Sequence, residues 1–248
     1  MNQEKMRERE PKDVETGERM AALAGAKADA WQHKARGEHE TEEAARYTMD
    51  QGGVEALIEN WPAAPKTAAQ QMLEQYGPPN EATPTKLFWY GNGPWKRTIV
   101  TSDVLIHNFP TTHSDFITNY IDYAVPVDKF DEIAAFDGSC LVDRTAGEVG
   151  ARCDTESANV LTLNLMHDIV TAKTTVEAAR KTFAENSAAY ALGRSAPYAE
   201  RLQFTVPRGG TEDPDESIIA GAMARQTVGK AKDLLTGGDR ADVTPPGR

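Results

Sequence analysis

The chain has 248 residues, 40% hydrophobic and 26% charged, with 19 glycines, 14 prolines and 2 cysteines. This balance suits one generous domain with appendages and excludes collagen-like, disulfide-dense and wholly disordered chains. The formal charge of -11 repels phosphate backbones and anionic lipid, so neither nucleic acid nor membrane is expected as a partner.

The longest runs free of Asp, Glu, Lys and Arg, Val104 to Ser114 and Ser157 to His167, are 11 residues each, against about 20 for a membrane span. The opening MNQEKMRERE has neither an apolar signal core nor an Arg-rich, acid-poor transit pattern, so a cytoplasmic location is expected. Large apolar residues divide the chain into a charged extension (1–50), a core (51–206) and a linker with a tail (207–248). In the extension only Met20, Leu23, Trp31 and Tyr47 offer bulk, which predicts a helix with a thin apolar face.

The core opens with a helix from about Ala64 to Tyr76, stopped by Gly77-Pro78-Pro79. Leu87 to Tyr90, Trp95 to Thr101 and Asp103 to Phe109 read as three strands of an antiparallel meander, because their connectors are too short for a crossover. Ile117 to Val125 reads as a fourth strand, and a short helix follows before Gly138. Ser139 to Thr145 and Glu148 to Cys153 form a predicted hairpin around Ala146-Gly147.

Beyond it, Val160, Leu163, Met166 and Val170 recur at helical spacing. Thr174 and Thr175 can cap a second helix bearing Val176, Ala179, Phe183, Ser187 and Tyr190. Long amphipathic helices beside such a sheet lie across its apolar face. The expected fold is therefore α+β, a two-layer sandwich in which a largely antiparallel sheet of about six strands packs against long C-terminal helices. After a linker, Asp213-Pro214-Asp215-Glu216 reads as a helix start, followed by a stripe of small residues, Gly221, Ala224, Val228, Ala231 and Leu235.

The stretches GNGPWKRTIV, HNFPTTHSDF, IDYAVPVDKFDEIAAFDGS and ARCDTESANVLTLNL together resemble a family of uncharacterised bacterial proteins. In that family a helix ending in Tyr-Gly is followed by a Gly-Pro-Trp-Lys-Arg strand, a His-x-Phe-Pro-x-x-His loop and an Ile-Asp-Tyr strand. The resemblance covers about Met72 to Phe204 and implies domain limits without an activity. This loop reads Pro-Thr-Thr-His where the family pattern has a second proline.

His107, His113 and Asp115 form the densest chemical cluster, of the ligand types that divalent transition metals prefer. The competing reading is structural, since His107 alternates with Leu105 and Phe109 on a strand face. The turn Gly91 to Pro94 precedes Trp95, Lys96 and Arg97, where Arg97 can grip an anion or pair with an internal acid. Trp95, Arg97 and Ile99 are expected on one strand face and Lys96 on the other. Cys140 and Cys153 are expected to face each other across the hairpin as buried, reduced thiols without a histidine neighbour.

Three readings of function follow. The leading one is a non-catalytic module that binds a small molecule or a protein, through Trp95, Arg97, His107, His113 and Asp115, without metal or cofactor. The second is an enzyme that uses His107, His113 and Asp115 around a metal or as acid and base. The third is an assembly component that meets a protein partner, or itself, through its terminal helices.

Overall fold

The computed structural model describes residues 14–36, 44–212, 214–219, 221–223 and 225. Its first helix, α1 (Thr16–Arg36), carries the sparse apolar residues expected of it and leaves them uncovered, with Met20 49% and Trp31 79% exposed. Next, α2 (Gln51–Ile58) starts at Asp50, whose carboxylate accepts from the Gly53 N–H at 2.9 Å. The helix α3 (Ala63–Tyr76) stops where predicted. Gly77 takes φ 76°, and its N–H donates to the Leu73 carbonyl at 2.9 Å.

The sheet contains β1 (Glu81–Thr83), β2 (Lys86–Tyr90), β3 (Arg97–His107), β4 (His113–Asp122), β5 (Cys140–Asp143) and β6 (Glu148–Cys153). All neighbours are antiparallel, in the order β1-β2-β3-β4-β6-β5. Six strands result, but not the six expected. The two strands expected over 95–101 and 103–109 merge into one, β3, whose register against β4 shifts between Val100 and Leu105. At this bulge the Thr101 hydroxyl donates to the Asp103 carbonyl at 2.7 Å, so polar residues that resemble a break are accommodated inside the strand. The sixth strand is the short β1, and β4 spans His113–Asp122 rather than 117–125.

One sheet face is apolar. Leu87, Val100 and Ile117 are register neighbours on it, as are Trp89, Thr98 and Asn119. The helix α3 covers one half, its Ala68, Ala69 and Met72 packing with Leu87, Trp89, Val100 and Ile117. The other half is covered by α5 (Glu156–Val170), whose Val160, Leu163 and Met166 meet Ile121, Val149 and Ala151. A second stripe on α5, Leu161, Leu165 and Ile169, backs onto α4 (Phe130–Phe136) and α6 (Val176–Ala191) through Phe136, Ala179 and Phe183. A helix covered on two sides needs apolar residues around most of its girth, which is why α5 shows two stripes. The caps are Thr155 for α5 and, as expected, Thr175 for α6. The fold is thus α+β, an open antiparallel sheet with helices packed on it.

A polar seam ties α5 to the sheet between the two halves. Asn159 donates to Asn119 Oδ1 at 2.6 Å, and Asn119 donates to Thr98 Oγ1 at 2.9 Å. The Glu156 carboxylate accepts from the Trp95 indole at 2.7 Å and from the Tyr76 hydroxyl at 3.2 Å. Burial pushes the Glu156 carboxyl up, against the three side-chain hydrogen bonds from Trp95, Tyr76 and Asn119 that favour its charged form.

The β5–β6 hairpin turns through four residues, Arg144 to Gly147, and pairs Cys140 with Ala151. Cys140 and Cys153 therefore do not face each other; Cys153 pairs with Ile117 of β4. Both thiols are free and buried, as expected. The C-terminal strap is less of a linker than its composition suggests, because Thr211 is buried directly over Gly147. Residues 214–218 are not helical, contrary to the expected helix start. Asp215 instead forms a bidentate pair with Arg144, at 3.0 and 2.6 Å. Asp213 and most of the small-residue stripe, Ala224, Val228, Ala231 and Leu235, lie outside the described residues. No helix among the described residues is long and apolar enough to cross a membrane.

Candidate functional site

His107 ends β3, His113 begins β4, and the two are register partners across the hairpin. Two residues along, Asp115 falls on the same face as His113, because strand side chains alternate. The segment between them is anchored by Phe109, which packs against Phe183 and Phe136 beneath the Arg180 guanidinium. That anchor fixes both histidines over Asp115. The three side chains offer ligand atoms all within 4.8 Å of one another.

Asp115 is 1% exposed and lies between the two imidazoles. Its Oδ1 is 3.0 Å from His113 Nε2, and its Oδ2 is 3.5 Å from His107 Nδ1. The Ser139 hydroxyl donates to Oδ2. Oδ1 accepts no hydrogen bond despite its short distance to His113. Leaving a buried acceptor unmatched costs about 1–3 kcal/mol, and more when it is charged. The nearest guanidinium is that of Arg152, whose Nε lies 3.9 Å from Oδ2 and is itself without a hydrogen-bond partner.

The His113 ring is held from its far side. Its Nδ1 is 2.8 Å from the Thr111 carbonyl, which can only accept, so Nδ1–H donates to it and Nε2 faces inward toward Asp115. Nε2 also lies 3.2 Å from Cys153 Sγ. Burial, with the nearby Asp154, pushes the Cys153 thiol up and keeps it protonated. A second buried carboxylate, Asp137, faces His107 Nε2 at 3.7 Å and accepts from the Ser139 N–H at 2.8 Å.

Trp95 and Arg97 do not join this cluster. Trp95 is buried among Ile121, Val149 and Val160 on the helix side. Arg97 lies on the opposite face, stacked on the Tyr120 ring at 3.9 Å and paired with Glu148. Lys96, expected to diverge from Arg97, reaches the same carboxylate, at 3.2 Å from Glu148 Oε2. Because Trp95 precedes β3, the strand alternation that would place it beside Arg97 does not apply. His167 is engaged elsewhere, 2.9 Å from the Tyr123 hydroxyl and stacked on Phe204. Of the remaining histidines, His33 is exposed on α1 and His39 lies outside the described residues.

A cleft of about 530 Å³ opens beside the cluster. Leu161, Phe183, Ala184 and Ala188 line it, together with Pro110, Thr111, His113 and Cys153. Sequence spacing does not assign Asp137, Ser139 or Cys153 to the site, and the structure brings them there. The legible hint was Asp137-Gly138-Ser139, an Asx-turn pattern that aims a carboxylate back at its own chain. Cys153 was obscured by the hairpin register, which places it beside His113 instead of Cys140. No family model, curated protein or solved structure matches the chain, so the site is read from its own geometry.

Proposed function

We propose that the protein binds a small, largely apolar molecule in the cleft between α5, α6 and the β3–β4 turn. The observation that carries this reading is a concave space of about 530 Å³ with a largely apolar lining that includes the His113 imidazole and the Cys153 thiol. Ligand pockets typically have this size and combine apolar walls with a few placed polar groups. Three of the six lining residues on α6, Ala184, Ala188 and Ala191, are alanine, which leaves room for a guest instead of filling the space from within. Trp95 and Arg97 belong to the scaffold in this reading, and His113 is the residue a ligand meets.

N-phenyl-1-naphthylamine, a neutral probe that fluoresces in apolar surroundings, tests the proposal on the full-length chain. Saturable binding of one probe per chain is expected, weakened at least about tenfold, or about 1.4 kcal/mol, by Ala184→Phe. Ala184 is exposed on the cleft wall, so the larger side chain enters the cleft without disturbing the core. Absence of saturable binding, or equal affinity in the variant, refutes the proposal.

A further inference from the structure

We propose that His107, His113 and Asp115 form a binding site for a divalent transition metal such as zinc, using one nitrogen from each imidazole and the carboxylate between them. The proposal stands on the cluster and does not depend on what occupies the cleft. It departs from the expectation, drawn from sequence, that no metal is bound.

The Nδ1–H of His113 donates to the Thr111 carbonyl at 2.8 Å, so Nε2 faces inward, only 3.0 Å from an Asp115 oxygen that accepts no hydrogen bond. This contact calls for positive charge at Nε2, supplied either by a proton or by a bound cation, and the residues around it favour the cation. Asp115 is 1% exposed, so bulk water does not relieve the contact.

Tetrahedral zinc with bonds of about 2.0–2.1 Å separates its nitrogen and oxygen ligands by about 3.3 Å. The observed separations, 3.0 Å from His113 Nε2 to Asp115 Oδ1 and 3.5 Å from His107 Nδ1 to Asp115 Oδ2, lie on either side of that value but reach different carboxylate oxygens. With the carboxylate turned to one cation, each imidazole keeps a nitrogen beside it, and the ligand atoms of the three residues already lie within 4.8 Å of one another.

The surrounding groups are those that orient metal ligands elsewhere in proteins. The Thr111 carbonyl fixes the His113 tautomer, Asp137 faces the outer nitrogen of His107 at 3.7 Å, and the Ser139 hydroxyl donates to Asp115 Oδ2. Thiolate, imidazole and carboxylate are all zinc ligands, and Cys153 Sγ adjoins the site at 3.2 Å from His113 Nε2. Alternation on the strands and the β3–β4 register bring the three ligands together, which sequence spacing alone does not reveal.

The test is calorimetric titration of zinc chloride into full-length protein stripped with a chelator. One tight site per chain is expected, weakened by more than about 100-fold in Asp115→Asn and in His107→Gln. Far-UV circular dichroism checks that each variant is folded. His107 lies at the rim, 19% exposed in its side chain, so His107→Gln serves if Asp115→Asn does not fold. Imidazole ¹⁵N spectra of the wild type provide a second readout, in which zinc moves the His107 and His113 resonances and leaves His167 in place. Absence of a tight zinc site, unchanged affinity in His107→Gln, or unmoved His107 and His113 resonances overturns the proposal.

Discussion

Replacing Arg97 tests whether this residue belongs to the scaffold or to a binding surface. Its guanidinium forks onto Glu148, with Nη1 2.7 Å from Oε2 and Nη2 against Oε1, and it stacks 3.9 Å above the Tyr120 ring. The Glu148 side chain is only 4% exposed, so Arg97→Leu leaves a nearly buried carboxylate with Lys96, 3.2 Å away, as its remaining cation. Breaking a buried pair from one side costs about 3–5 kcal/mol. Compensation by Lys96 lowers the expectation to about 2–3 kcal/mol, or roughly 5–10 °C in Tm for a domain of this size. The double variant Arg97→Leu/Glu148→Leu removes the stranded charge and is expected to lose less than the sum of the two single losses, by at least about 1 kcal/mol. Urea unfolding followed by circular dichroism measures all three variants. A single-variant loss under about 0.5 kcal/mol, or strict additivity, would refute the reasoning and return Arg97 to the candidates for ligand contact.

Three further predictions come from the same packing. Gly147→Ala places a Cβ 2.2 Å from the Thr211 carbonyl oxygen at a φ of 62°, so it should cost at least about 1–2 kcal/mol and expose the strap after Arg208 to limited proteolysis; an unchanged digestion pattern counts against the strap. Burial holds the Glu156 carboxyl above its ordinary value, so the folded state retains a proton that the unfolded chain releases from about pH 4.5 upward, and stability falls as pH rises through that window. Glu156→Gln cannot titrate and should flatten this slope while its amide oxygen still accepts from Trp95; an identical pH profile in urea unfolding would exclude the effect. Burial raises both the Cys140 and Cys153 thiols, with added repulsion from Asp137 for Cys140 and chiefly from Asp154 for Cys153. Maleimide should therefore label neither within minutes at neutral pH and both at once in urea, and fast native labelling would contradict the burial.

Much of the architecture was legible because its signals are local. Gly77 with two prolines stops α3, Thr175 caps α6, and the spacing of Val160, Leu163 and Met166 marks the sheet-facing side of α5. Features set by pairing were less legible. A polar triplet, Thr101 to Asp103, looks like a strand end whether it turns or bulges, and only the partner strand decides. The hairpin register likewise depends on which residues form its loop; the four that end at Gly147, with φ 62°, pair Cys140 with Ala151 and not with Cys153.

The candidate site was visible as three residue types in one loop, but its burial was not. Leu105, whose apolar character argued for a core histidine beside it, is 51% exposed at the end of β3. The groups that give the cluster its chemistry arrive from elsewhere in the sequence, Asp137 and Ser139 from the turn before β5 and Cys153 from the end of β6.

The central claim is that the β3–β4 turn and the helices α5 and α6 place His113 on the wall of an apolar cleft that binds a small molecule. Imidazole ¹⁵N–¹H spectra recorded while N-phenyl-1-naphthylamine is added test it most directly. The account predicts saturable shifts at His113, with His33 and His167 unmoved. A probe that binds yet leaves His113 unshifted, or that moves His167 equally, would contradict it.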